Sequence, residues 1–125
     1  VNALQRVHGS LVPGAILLDL QPTLANALVR NPNRFLGRLD EREFRAFTDR
    51  VNSVLEETIE AGLFAHESQV EFIVAHRFDH APALLAELKT WTGTTVPSRL
   101  LRRLERSAPP FEVHEGARLR RLRTL

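Results

Sequence analysis

A chain of 125 residues fits one domain with a single hydrophobic core and is too short for two. Its content, 43% hydrophobic and 26% charged, belongs to a folded protein and excludes a disordered tail, while no apolar run reaches the roughly 18–20 residues of a membrane span. The absence of cysteine excludes disulfides, thiolate metal sites and thiol nucleophiles.

Residues 2–11 place Leu4, Val7 and Leu11 at helical spacing, with His8 beside them. Pro13-Gly14 makes a turn. The run Ala15 to Leu20 is short and nearly all apolar, closed off by Gln21-Pro22. It reads as a strand buried on both faces, the habit of parallel sheets flanked by helices. Residues 22–40 read as an insertion of loop and short helix, the helix over 23–30 capped by Thr23 and ended by Asn31-Pro32-Asn33. Asp40 with Glu43 three residues on forms a capping-box pattern for a helix over 41–61. That helix carries Phe44, Phe47, Val51, Val54, Leu55 and Thr58, and Gly62 ends it.

Residues 69–78 alternate with apolar residues on both faces, which predicts an inner strand. Asp79 is placed to cap a helix running to Trp91, with Pro82 in its first turn. Pro97-Ser98 opens another helix with Leu100, Leu101 and Leu104, and Pro109-Pro110 ends it. Phe111 to Leu125 reads as a final extended strand, bent at Gly116. The order of elements is that of an α/β layer architecture.

The strand at 15–20 looks central yet stands near the start of the chain. With only about three strands, one of its edges stays open and apolar, which invites pairing. Two solutions follow: a preceding part of the protein covers it, or a second copy does. The chain starts at Val1 and contains no methionine, which favours an expectation that something preceded it. Its first residues lack the basic-then-apolar pattern of an export signal, so the expected location is cytoplasmic. The bias to arginine, with Lys89 the only lysine, suggests GC-rich, bacterial-type coding.

The segment Ala3-Leu4-Gln5-Arg6-Val7-His8-Gly9-Ser10-Leu11-Val12-Pro13-Gly14-Ala15-Ile16-Leu17-Leu18-Asp19-Leu20-Gln21-Pro22 resembles class I S-adenosylmethionine-dependent methyltransferases. There a helix leads through Leu-x-Pro-Gly-Gly into the fifth strand; Ala15 stands here in place of the second glycine. Glu60-Ala61-Gly62-Leu63-Phe64 is similar to the helix end before the sixth strand, residues 69–78 to that strand, and residues 111–124 to the antiparallel seventh. The resemblance implies a partial Rossmann-like sheet flanked by helices: the substrate-side C-terminal half of the fold as one domain over 1–125. It implies a transferase whose cofactor, S-adenosylmethionine, binds a glycine-rich loop after the first strand and an acidic residue ending the second. The six glycines here are all isolated, so the chain alone is expected to bind no cofactor and to be inactive.

Ligands in open α/β sheets sit at the carboxyl ends of strands. That points to Asp19 and Gln21 after one strand, and to Arg77 and Asp79 after another, as substrate-binding candidates. The blander role for either aspartate is a cap or a partner of arginine. His76 and His80 straddle a strand–helix boundary, so no metal site is expected, and no serine has a nucleophile-elbow context. Two arginine clusters, Arg99/Arg102/Arg103/Arg106 and Arg118/Arg120/Arg121/Arg123, offer a basic patch, but the net charge is only +2 and no aromatics interleave. Nucleic acid is therefore not the expected partner, and the methyl acceptor, small molecule or macromolecule, is unspecified. The alternative function is a small stand-alone homodimeric binding or assembly module without catalysis.

Overall fold

The structure, a computed structural model, describes residues 3–23 and 26–125. In chain order it contains α1 (Ala3–Ser10), β1 (Ile16–Pro22), β2 (Leu28–Arg30), β3 (Phe35–Arg38), α2 (Arg42–Glu60), β4 (Phe64–Phe78), α3 (Ala81–Leu88), α4 (Ser98–Arg106) and β5 (Phe111–Thr124). The five strands form one open sheet with antiparallel pairing throughout. β5 is its centre. One edge of β5 carries β4 from end to end, and the other carries β1 opposite residues 117–123 and β2 opposite residues 112–114, with β3 outside β2. β1 and β4 are both antiparallel to β5, so they run parallel to each other.

The strand expected to be central is therefore an edge strand. Its apolar run mimics two-sided burial, but exposure alternates along it. Leu17 packs under α1 and α2, whereas Leu18 and Leu20 are 61% and 63% exposed on the other face. The true central strand, β5, was disguised by its arginines. Four of them stand in the last seven residues of the strand; Arg120 is buried, and pairing rather than apolarity allows it. β4 is longer than expected, with a register shift between His66 and Ser68, and it lies at an edge instead of inside.

Residues 22–40 hold a hairpin, not a loop with a short helix. Leu28–Arg30 and Phe35–Arg38 pair around Asn31, whose Oδ1 accepts from the amides of Asn33 and Arg34 in an Asx turn. Two positions of the expected helix, Leu24 and Ala25, lie outside the described residues. The sheet thus has five strands where about three were expected, because the hairpin continues it past the end of β1.

α2 matches its expected span, and Gly62 ends it at φ +78°, a left-handed conformation that favours glycine. Its cap differs: Glu41 is the N-cap residue and makes no capping bond, while Asp40 instead accepts from the Arg42 amide at 3.2 Å and from its guanidinium at 2.8 Å. The inward stripe is Phe44, Thr48, Val51, Leu55 and Thr58, turned away from Phe47, which is 55% exposed. α3 is capped by His80 rather than Asp79, its Nδ1 accepting from the Ala83 amide, and ends at Leu88 rather than Trp91.

Strand alternation divides the core in two. On one face, Phe111 and Val113 of β5 pack with Val29, Leu36, Leu84, Leu88, Leu100 and Leu104 from the hairpin, α3 and α4. On the opposite face, Leu122 packs with Phe64 and Leu55, flanked by Leu4, Leu11 and Leu17. We call the first the front face and the second the back face.

Candidate functional site

β1 and β2 share the same edge of β5 but do not meet. The pairing of β1 ends at Pro22, opposite Ala117, and that of β2 begins at Leu28, opposite His114; Thr23 still donates its amide to the Gly116 carbonyl at 3.0 Å. A cleft of about 390 Å³ opens at this parting, beneath the first half of α2. Phe44, Arg45, Thr48, Asp49 and Asn52 line it from α2, at spacings that put them on one side of a helix. Glu71 of β4 and Glu115, Gly116 and Arg118 of β5 line the sheet side, and Glu41 and Ala27 close one end.

The cleft has mixed charge with an acidic excess. Glu41 is buried and accepts from the Ala27 amide at 2.7 Å. Burial holds its carboxyl above the usual range, and the nearby charge of Glu115 pushes the same way. Glu115 meets His76 at 2.7 Å, and the His76 ring stands edge-on to Trp91. Arg118 donates to Asn52 Oδ1 at 2.9 Å, while its buried Nε has no partner among the described residues. A ligand here meets carboxylates, the guanidiniums of Arg45 and Arg118 and one aromatic wall within a single small volume, the setting for a small polar molecule.

The sequence-derived candidates are divided by the fold. Asp19 and Gln21 are together: Gln21 Nε2 donates to Asp19 Oδ1 at 2.9 Å. Asp19 also holds Arg120 at 3.2 Å, and Arg120, whose side chain is 4% exposed, reaches Glu56 of α2 at 2.6 Å. Asp19 is thus the arginine partner that the blander reading described, one step from the cleft rather than in its wall. Arg77 is elsewhere. It lies opposite Glu112 while Gln21 lies opposite Arg118, roughly 20 Å away along β5 at about 3.4 Å per residue. Its side chain is 68% exposed and approaches Asp79, at 3.9 Å.

Sequence reasoning missed Glu41, Arg45, Asn52, Glu71, Glu115 and Arg118. Two signals lay near them: the bend expected at Gly116, where β1 and β2 separate, and the carboxyl end of the 15–20 strand, where Pro22 and Thr23 line the cleft. The second arginine cluster is split between the two faces rather than forming one patch: Arg118 and Arg120 face α2 on the back, whereas Arg121 and Arg123 share Glu67 on the front at 3.3 and 3.1 Å. No group of three or more acidic or histidine side chains among the described residues could hold a metal ion, and no helix is long and apolar enough to cross a membrane. No protein-family model, characterised protein or solved structure matches the chain.

Proposed function

We propose that this chain is the substrate-side, C-terminal half of a cytoplasmic, class I methyltransferase-like enzyme, and that the cleft at the end of β1 receives the methyl acceptor. The observation that carries the reading is the open outer edge of β1, beside a last strand that runs antiparallel between β1 and β4. The resemblance of residues 3–22 implies a fifth strand with a further strand beyond it, and that edge is where a cofactor-bearing half would join the sheet.

The residues present do not fit the cofactor. β1 runs into Pro22-Thr23 and β4 into Asp79-His80, so neither leads into a glycine-rich turn that would let backbone approach a nucleotide-like ligand. No methyl-transfer step is assigned to this chain by itself. Within the reading, α2 and β5 bind and orient the acceptor, and orientation is the main contribution a protein makes to a reaction whose methyl donor is already activated.

Calorimetric titration with S-adenosylmethionine tests the reading on two samples, residues 1–125 and the complete product of the gene. The expected result is no binding by the first and stoichiometric binding by the second. Binding by residues 1–125, or none by the complete product, removes the reading. The same open edge favours a second reading, a non-catalytic homodimer paired β1 to β1. Sedimentation separates the two, since that reading requires a dimer of residues 1–125 at micromolar concentration.

A further inference from the structure

The front face of the sheet is covered at one end and bare at the other. Around Phe111 and Val113 it lies under α3, α4 and Trp91. Farther along β5, the register lines up apolar side chains across three strands. Leu20, Leu119 and Val70 stand opposite one another, as do Pro22, Ala117 and Phe72, with Leu18 beside Arg121. Leu18, Leu20 and Val70 are more than half exposed, and Phe72 is 40% exposed. A patch of this kind marks an interaction site rather than scattered surface apolarity.

Its dimensions choose among occupants. Three strands about 4.8 Å apart and seven residues long make a strip of roughly 10 by 24 Å. That is the width of one helix and the length of about sixteen helical residues. On the back face, α2 runs along the corresponding stretch of β1 and β5, meeting Arg118 and Arg120, and α1 joins it only at the Leu17 end. A second copy would need nearer 800 Å² from each partner for a stable interface, well beyond this strip even when doubled for side-chain relief. Charge marks one end: Arg121 and Arg123 share the single carboxylate of Glu67 there, leaving a net positive charge.

We propose that the bare end of the front face seats one amphipathic helix of about sixteen residues, acidic where it meets Arg121 and Arg123, and that the helix belongs to the same polypeptide outside residues 1–125. The source of the helix rests on the methyltransferase-half reading; the bareness of the face does not.

The chain has no cysteine, so Val70→Cys introduces a unique thiol into residues 1–125. Leu20→Cys, in the same row, replaces it should that variant not fold. The measurement is the rate of maleimide labelling in residues 1–125 and in the complete gene product, where any other cysteines are first changed to serine. The proposal expects fast labelling of residues 1–125 at every concentration, and labelling at least roughly tenfold slower in the complete product. Labelling of residues 1–125 that slows as concentration rises identifies a second copy as the occupant and overturns the proposal. An unprotected thiol in the complete product, or a gene product that adds nothing to residues 1–125, overturns it too. Cofactor titration of the same preparations separates the two readings. Cofactor binding with an unprotected thiol removes the helix and keeps the methyltransferase reading, and a protected thiol without cofactor binding does the reverse.

Discussion

Val113 and Leu20 point to the same face of the same sheet, yet Val113 is fully buried and Leu20 is 63% exposed. The difference lies in what the chain brings over each. α3, α4 and the β2–β3 hairpin converge on the end of β5 near Val113, and nothing among the described residues reaches Leu20. Apolarity in a strand therefore reports a face that needs covering, and the cover itself must be sought elsewhere in the chain or outside it.

Substitutions at the two ends should behave accordingly. Leu104→Ala, in the covered end, is expected to cost about 2–5 kcal/mol in urea unfolding, since it leaves a cavity among close-packed side chains. A cost under about 1 kcal/mol would mean that end is loosely packed. Asp19→Ala strips one carboxylate from buried Arg120 and leaves Glu56 as its remaining ionic partner; a loss of about 1–3 kcal/mol is expected by thermal melting.

Glu41 gives a pH-dependent test. Its carboxyl is raised by burial, so ionisation opposes folding: the penalty is fully present above the folded pKa and absent below the unfolded one. Glu41→Gln should therefore be more stable than the parent at neutral pH and converge with it in acid. The gain should stay within about 1 kcal/mol, because the amide is a weaker acceptor for the Ala27 N–H. Chemical denaturation at pH 7 and pH 3.5 reads both arms. The smallest effect belongs to the bare end: Leu20→Ser should change unfolding free energy by no more than about 0.5 kcal/mol while lowering the binding of a hydrophobic dye. A cost comparable to that of Leu104→Ala would show that Leu20 is covered in solution.

Local signals made several elements legible. Gly62 stops α2 because a left-handed residue is needed there, Pro82 marks the start of α3 because proline suits a first helical turn, and Pro97 stands just before α4 as its N-cap residue. Sheet order was not legible in the same way. β5 is central because two long strands and a hairpin add to its edges, and Arg118 and Arg120 sit beneath α2 only because Asp19, Asn52 and Glu56 arrive from other elements to pair them. Those partners are far apart in sequence, so no local pattern announces them. The hairpin at 28–38 was hidden by the shortness of its strands and by an Asx turn that also suits a helix end. The cleft was legible in part, through Gly116 and through the carboxyl end of β1, where Pro22 and Thr23 line it; its other walls come from the sides of α2, β4 and β5, which no strand-end rule points to.

The measurement that tests the central claim most directly is amide hydrogen exchange along β1 in residues 1–125. Thr23 donates its amide to Gly116, and Thr124 donates to Ala15. Antiparallel alternation then turns the amides of Leu17, Asp19 and Gln21 toward β5 and those of Leu18 and Leu20 toward the open edge. Rapid exchange at Leu18 and Leu20 beside slow exchange at Leu17 and Asp19 is the predicted result. Equal protection of both sets would contradict it, because the edge of β1 would then already be paired.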